Sequence, residues 1–107
     1  MTRAIDAVRH CDTLEDVRRA IDALDDALVP LLVTRGGYMT EAARIKRTPG
    51  AVRDEARIDE IVRRVRAQAE VHGGDADLVE SLYRAMMQAY IAFEEREFAR
   101  LRSGVTS

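Results

Sequence analysis

The apolar residues Leu14, Val17, Ile21, Leu24, Leu28 and Leu31 recur at alternating spacings of three and four, and the same count carried forward meets position 35, then Tyr38, Ala42 and Ile45. That rhythm lays one stripe along one face of an α-helix. Thr13 or Asp12, just before the stripe, offers an N-cap. The only interruption is Gly36-Gly37, inside the stretch VTRGGYMTEAARIK over residues 33–46. Taken alone, the pair favours a break, since each glycine costs about 1 kcal/mol relative to alanine in a helix interior. Against a break, no Pro, Asn or Asp accompanies the glycines, and a turn would usually reset the phase. The unbroken phase favours one continuous helix, with the glycines marking close approach by another backbone.

The rest of the chain reads as helix too. A second element begins after the breaker Thr48-Pro49-Gly50, carries Ile58, Ile61, Val62 and Val65 on one face, and stops at Gly73-Gly74. A third begins at a cap on Asp75 or Asp77 and runs through Leu78, Leu82, Met86, Ala89 and Phe93. No stretch alternates with period two, and no internal repeat appears. The expected fold is all-α, with three helices, the first very long.

Composition bounds the partners. At 107 residues the chain is expected to be a single helical domain over 1–107, with residues 1–12 a loose N-terminal segment. A core of this size is modest, so dimerisation would help it. A net charge of −2, 5% aromatic residues and no Trp give neither the basic excess nor the stacking surface of a nucleic-acid binder. Cys11 is the single cysteine, so no internal disulfide forms, and with only His10 and His72 as further soft ligands there is no zinc-binding set. The start, MTRAIDAVRHCD, is broken by Arg3, Asp6 and Arg9 and shows no signal peptide, and no run reaches the length of a membrane span. A cytoplasmic protein is the expectation.

The cations carry the functional signal. Arg35 and Lys46 are eleven residues apart, so on a continuous helix at about 100° per residue they lie within roughly 20° of each other. Arg35 also falls on the apolar seam, where a cation is costly without an anion. Arg18 points elsewhere on the same helix, about 80–100° away from that pair.

The run VRRAIDALDDALVPLLVTR, the Lys46 that follows it, and VRDEARI beyond the loop resemble the all-helical chorismate mutases. The segment LVESLYRAMMQAYIAFE is also similar to the related isochorismate pyruvate lyases. The resemblance covers about residues 14–101 and rests on the ordered set Arg18, Arg35, Lys46, Arg57 and Glu94. It implies an unbroken first helix, and therefore a chain that runs through Gly36-Gly37. It also implies an intertwined homodimer in which Arg18 reaches the partner's pocket. The implied substrate is a dicarboxylate, gripped by Arg18 and Arg35, with Arg57 lining the same pocket; guanidinium groups suit bidentate contact of this kind. The implied reaction is a Claisen rearrangement of chorismate to prephenate, which needs no nucleophile, metal or cofactor. Lys46 and the residue at position 94 would then donate hydrogen bonds to the ether oxygen as charge grows on it.

Two positions depart from the usual mutase pattern. Glu94 stands where many members carry Gln, and a glutamate donates only when protonated, a form that burial among Met87, Tyr90 and Ile91 favours. Its plain alternative is a solvated acidic cluster with Glu95 and Glu97. Ile58 stands where typical mutases carry a glutamate that contacts the substrate hydroxyl, while the lyases have an apolar residue there. Tyr90 likewise follows the lyase pattern and is expected to shape the pocket wall. Asp54, the expected N-cap of the second helix, is a weaker candidate for the hydroxyl. Three functions are therefore carried forward: chorismate mutase in the lead, isochorismate pyruvate lyase second, and a non-catalytic helical dimerisation or regulatory module third.

Overall fold

The computed structural model describes residues 7–103; residues 1–6 and 104–107 lie outside the described residues, and with them half of the segment expected to be loose. Residues 7–11 carry neither helix nor strand. Three α-helices follow: α1 (Leu14–Ile45), α2 (Glu55–Val71) and α3 (Ala76–Arg102), with one 3-10 turn at Pro49–Ala51 between the first two. The described residues contain no strand, and no helix among them is long and apolar enough to cross a membrane. The all-α expectation, with a long first helix, holds. Packing divides the chain into two compact units, 1–34 and 35–107.

The first unit contains most of α1. Thr13, rather than Asp12, caps it: its Oγ1 accepts the N–H of Asp16 at 3.0 Å. Arg19 pairs with Glu15 at 2.9 Å and with Asp16, one turn back on the same face. The apolar stripe is open to solvent, with Ile21, Leu24 and Leu28 about half exposed and Leu14 and Leu31 more so. Pro30 lies inside this helix, which continues past it.

The second unit holds the end of α1 with α2 and α3. Both Gly36 and Gly37 are helical. A Cβ at Gly36 would stand 3.6 Å from Tyr90 Cε1 and 4.0 Å from Phe93 Cε2, while one at Gly37 would meet nothing within 4 Å. The close neighbours of Gly36 are thus aromatic side chains of α3, which corrects the expectation of a second backbone. Asp54 caps α2 by accepting the N–H of Arg57 at 3.1 Å. Asp75, rather than Asp77, caps α3, accepting from Asp77 at 2.9 Å and Leu78 at 3.2 Å. Between these helices Gly73 takes φ 72°, and Gly74 N–H returns to Ala69 O at 2.7 Å. A left-handed residue followed by such a back-bond is how helices commonly stop, and glycine adopts it without strain.

Two small apolar clusters join these elements. Ala43, Val52 and Phe98 form one, and Ile58, Val62 and Met87 form the other; Ile91 packs against both. Arg66 of α2 pairs with Asp77 at 3.0 Å and Glu80 at 2.7 Å, fixing the first turn of α3.

Glu97 ties α3 to α1. Its carboxylate accepts from Arg100 at 2.9 Å and from Thr40 Oγ1 at 2.9 Å. The arginine first, and then the threonine hydroxyl, bring its pKa down from 4.5 to about 2. A depressed carboxylate contributes stability that is present above pH 4.5 and is lost as pH falls toward 2. Glu97→Gln is therefore expected to be less stable than wild type at pH 7, with the gap narrowing at pH 3. Urea midpoints at the two pH values check this; an unchanged gap would contradict it.

Candidate active site

A cavity of about 310 Å³ opens in the second unit, within the size range of small-molecule sites. Each element contributes by its helical repeat. Arg35, Met39 and Ala42 are successive turns of α1, Lys46 follows its end, Arg57, Ile58 and Ile61 come from the start of α2, and Met87, Tyr90, Ile91 and Glu94 share one face of α3. The connection between α1 and α2 adds Val52 and Asp54. The cavity thus has apolar walls with cations set into them.

Lys46 is the best-held cation. α1 ends at Ile45, but Lys46 N–H still bonds to Ala42 O at 2.9 Å, so the residue leaves the helix in helical register. Its Nζ lies 2.7 Å from Glu94 Oε2 and 3.3 Å from Val52 O. Glu94 is only 3% exposed, whereas the Lys46 side chain keeps 27%. A carboxylate this deep is costly without a cation beside it, and Lys46 supplies one. Glu94 therefore does not belong to a solvated acidic cluster; Glu95 is exposed and Glu97 has the partners already described.

The other cations are held differently. The Arg35 guanidinium sits over the Tyr90 ring, 4.7 Å from its centroid, and this contact orients it on the cavity wall. Arg57 lines the cavity, yet its Nη1 lies 2.5 Å from Glu60 Oε1 one turn along α2. Both members of that pair are about half exposed, so the pair is weak. Asp54 both caps α2 and lines the cavity, and Ile58 is buried at its wall.

Arg35, Lys46, Asp54, Arg57, Ile58, Tyr90 and Glu94 are thus brought together on one cavity. Arg18 lies in the first unit, exposed on α1. The sequence reading missed Val52, whose contribution to Lys46 is a backbone oxygen and leaves no side-chain signature. Met39 and Ala42 were also missed as wall residues, although their spacing from Arg35 on one helix face would have found them.

Arginines and a carboxylate-paired lysine thus stand around an apolar cavity in a helical unit. The family model for chorismate mutase type II matches residues 17–95, and the chain belongs to that family of enzymes. It is also similar to an isochorismate pyruvate lyase of Pseudomonas aeruginosa, 32% identical over 92 residues that cover 86% of this chain and 91% of that protein.

The unequal exposure of Lys46 and Glu94 makes a stability prediction. Lys46→Met strands a buried carboxylate and is expected to cost about 1–3 kcal/mol. Glu94→Gln leaves a half-wet ammonium with Val52 O and an amide oxygen to bond, and is expected to stay within about 1 kcal/mol of wild type. Denaturant unfolding of both variants at neutral pH checks the order. Equal losses would mean that the carboxylate is not shielded from water as its burial indicates.

Proposed function

We propose that this chain rearranges chorismate to prephenate, working as a cytoplasmic homodimer. The observation that carries the reading is the Lys46–Glu94 contact, set in a cavity that Arg35 and Arg57 also line. In the rearrangement the ether C–O bond breaks as a C–C bond forms in the same molecule, so no group is transferred to the protein. What the site contributes is selection of the compact conformer and a field matched to the developing charge. Arg35 and the partner's Arg18 grip the carboxylates, and Arg57 lines the same pocket. Lys46 and the protonated Glu94 donate to the ether oxygen, where negative charge accumulates. The apolar walls from α2 and α3 exclude water, which strengthens each of these interactions.

The open stripe of α1 supports the dimer. Six apolar side chains in helical register, from Leu14 to Leu31, face solvent in the single chain, more apolar surface than one isolated helix face normally leaves open. A second copy would cover that stripe and bring its Arg18 to the pocket.

A second reading has its own support. Ile58 and Tyr90 both line the cavity, where an apolar residue and a tyrosine match the lyase pattern, and the Pseudomonas aeruginosa relative is an isochorismate pyruvate lyase. The same cations would serve that reaction, which also breaks a C–O bond at an ether oxygen. Glu94 departs from the Gln of the lyases as well, and Asp54 on the cavity wall matches the aspartate that lies near the substrate hydroxyl in mutases, which favours the mutase.

The deciding experiment gives the purified protein chorismate and isochorismate in parallel and identifies the products. Prephenate from chorismate, at a kcat/KM well above any salicylate and pyruvate formation from isochorismate, is expected. The reverse ratio establishes the lyase, and no turnover of either leaves a binding or regulatory module. In the same assay Arg18→Ala and Arg35→Ala, each inactive alone, are expected to regain activity when refolded together. The mixed dimer would hold one site with both lesions and one with neither; heterodimer confirmed by mass but without recovery would place Arg18 in its own chain's site.

A further inference from the structure

Arg102, at the C-terminal end of α3, reaches across to the end of α1. Its Nη2 donates to Arg44 O at 3.3 Å and to Lys46 O. The last carbonyls of a helix lack partners within it, and a cation there also meets the negative end of the helix dipole. Arg102 is thus a C-terminal cap supplied to α1 by another helix. Its guanidinium lies over the Phe98 ring, 3.7 Å from the centroid, so stacking holds the group while its N–H donors face the carbonyls. Phe98 is buried with Ala43 and Val52, and Val52 O is the acceptor for Lys46 Nζ. One cluster therefore holds Lys46 at both ends, its carbonyl through Arg102 and its ammonium through Val52.

We propose that Arg102 is a positioning residue for the reaction: it fixes the peptide of Lys46 so that the ammonium stays where charge develops on the substrate. The inference rests on the reading of Lys46 as a donor to the ether oxygen. Arg102 itself does not line the cavity, so it acts through Lys46 and not on substrate. Donors matched to a transition state are sensitive to placement, and a displacement of about 1 Å can cost on the order of 100-fold. Val52 O and Glu94 still hold the ammonium when Arg102 is lost, so a smaller effect is expected.

The test compares Arg102→Ala, Arg102→Lys, Lys46→Ala and the Arg102→Ala/Lys46→Ala double variant on the better of chorismate and isochorismate. Arg102 is exposed, so its replacement removes no core. Arg102→Ala is expected to lower kcat about 10-fold while KM stays within about twofold, the split that marks loss of a transition-state contact. Arg102→Lys, which keeps a donor for the carbonyls, is expected to recover part of kcat. In the Lys46→Ala background Arg102→Ala is expected to cost nothing more, because residues that act through one another are not additive. A purely structural role would lower the thermal midpoint and the active fraction, leave kcat per folded molecule unchanged, and add to Lys46→Ala. Wild-type kcat in Arg102→Ala, or additivity, overturns the positioning role and leaves that of Lys46 standing. Wild-type turnover in Lys46→Ala overturns both.

Discussion

The second unit depends on one buried ion pair. Glu94 sits almost without solvent on α3, and the only way to keep a carboxylate there at modest cost is to bring a cation to it. Lys46 does so at 2.7 Å, which requires the end of α1 and the middle of α3 to meet at one register. Other contacts hold that register. The Tyr90 ring lies against α1 at Gly36, Thr40 donates to Glu97, and Arg102 donates to Arg44 O and Lys46 O. A slip of α3 along α1 would break all of them together, and the pair with them.

In the proposed rearrangement the same pair would make the pocket reactive rather than merely sticky. An isolated lysine in an apolar wall would bind any anion that fits. A lysine already shared with a carboxylate gives a cavity that is nearly neutral at that end and cationic where Arg35 and Arg57 stand. On that proposal affinity would come from the arginines, at the substrate's carboxylates, and the Lys46–Glu94 end would respond to charge that exists only in the transition state.

The helices were legible because their signals are local. The three-four rhythm, the caps at Thr13, Asp54 and Asp75, and the glycines at 73 and 74 all act within a few residues, and each is found where the sequence puts it. Gly36-Gly37 was harder, since propensity and phase pointed opposite ways; both are helical, and a Cβ at Gly36 would meet Tyr90 and Phe93 at ordinary contact distance while one at Gly37 would meet nothing within 4 Å. Pro30 went unread, although α1 continues past it. The site was legible where it depends on helical spacing, as for Arg35 and Lys46. It was not legible where it depends on backbone oxygens, as for Val52, or on tertiary capping, as for Arg102. An acidic run such as Glu94, Glu95 and Glu97 gives no local clue to which member is buried, because burial is decided by the neighbouring helix.

The most direct test of this account is kcat of wild type and of Glu94→Gln at neutral pH. In the proposed reaction an ionised carboxylate beside the developing oxyanion would repel the charge that Lys46 attracts, whereas an amide N–H donates to it. Glu94→Gln keeps the shape with a permanent N–H donor and is expected to preserve or raise kcat. A folded but inactive Glu94→Gln protein would contradict a catalytic Lys46–Glu94 pair.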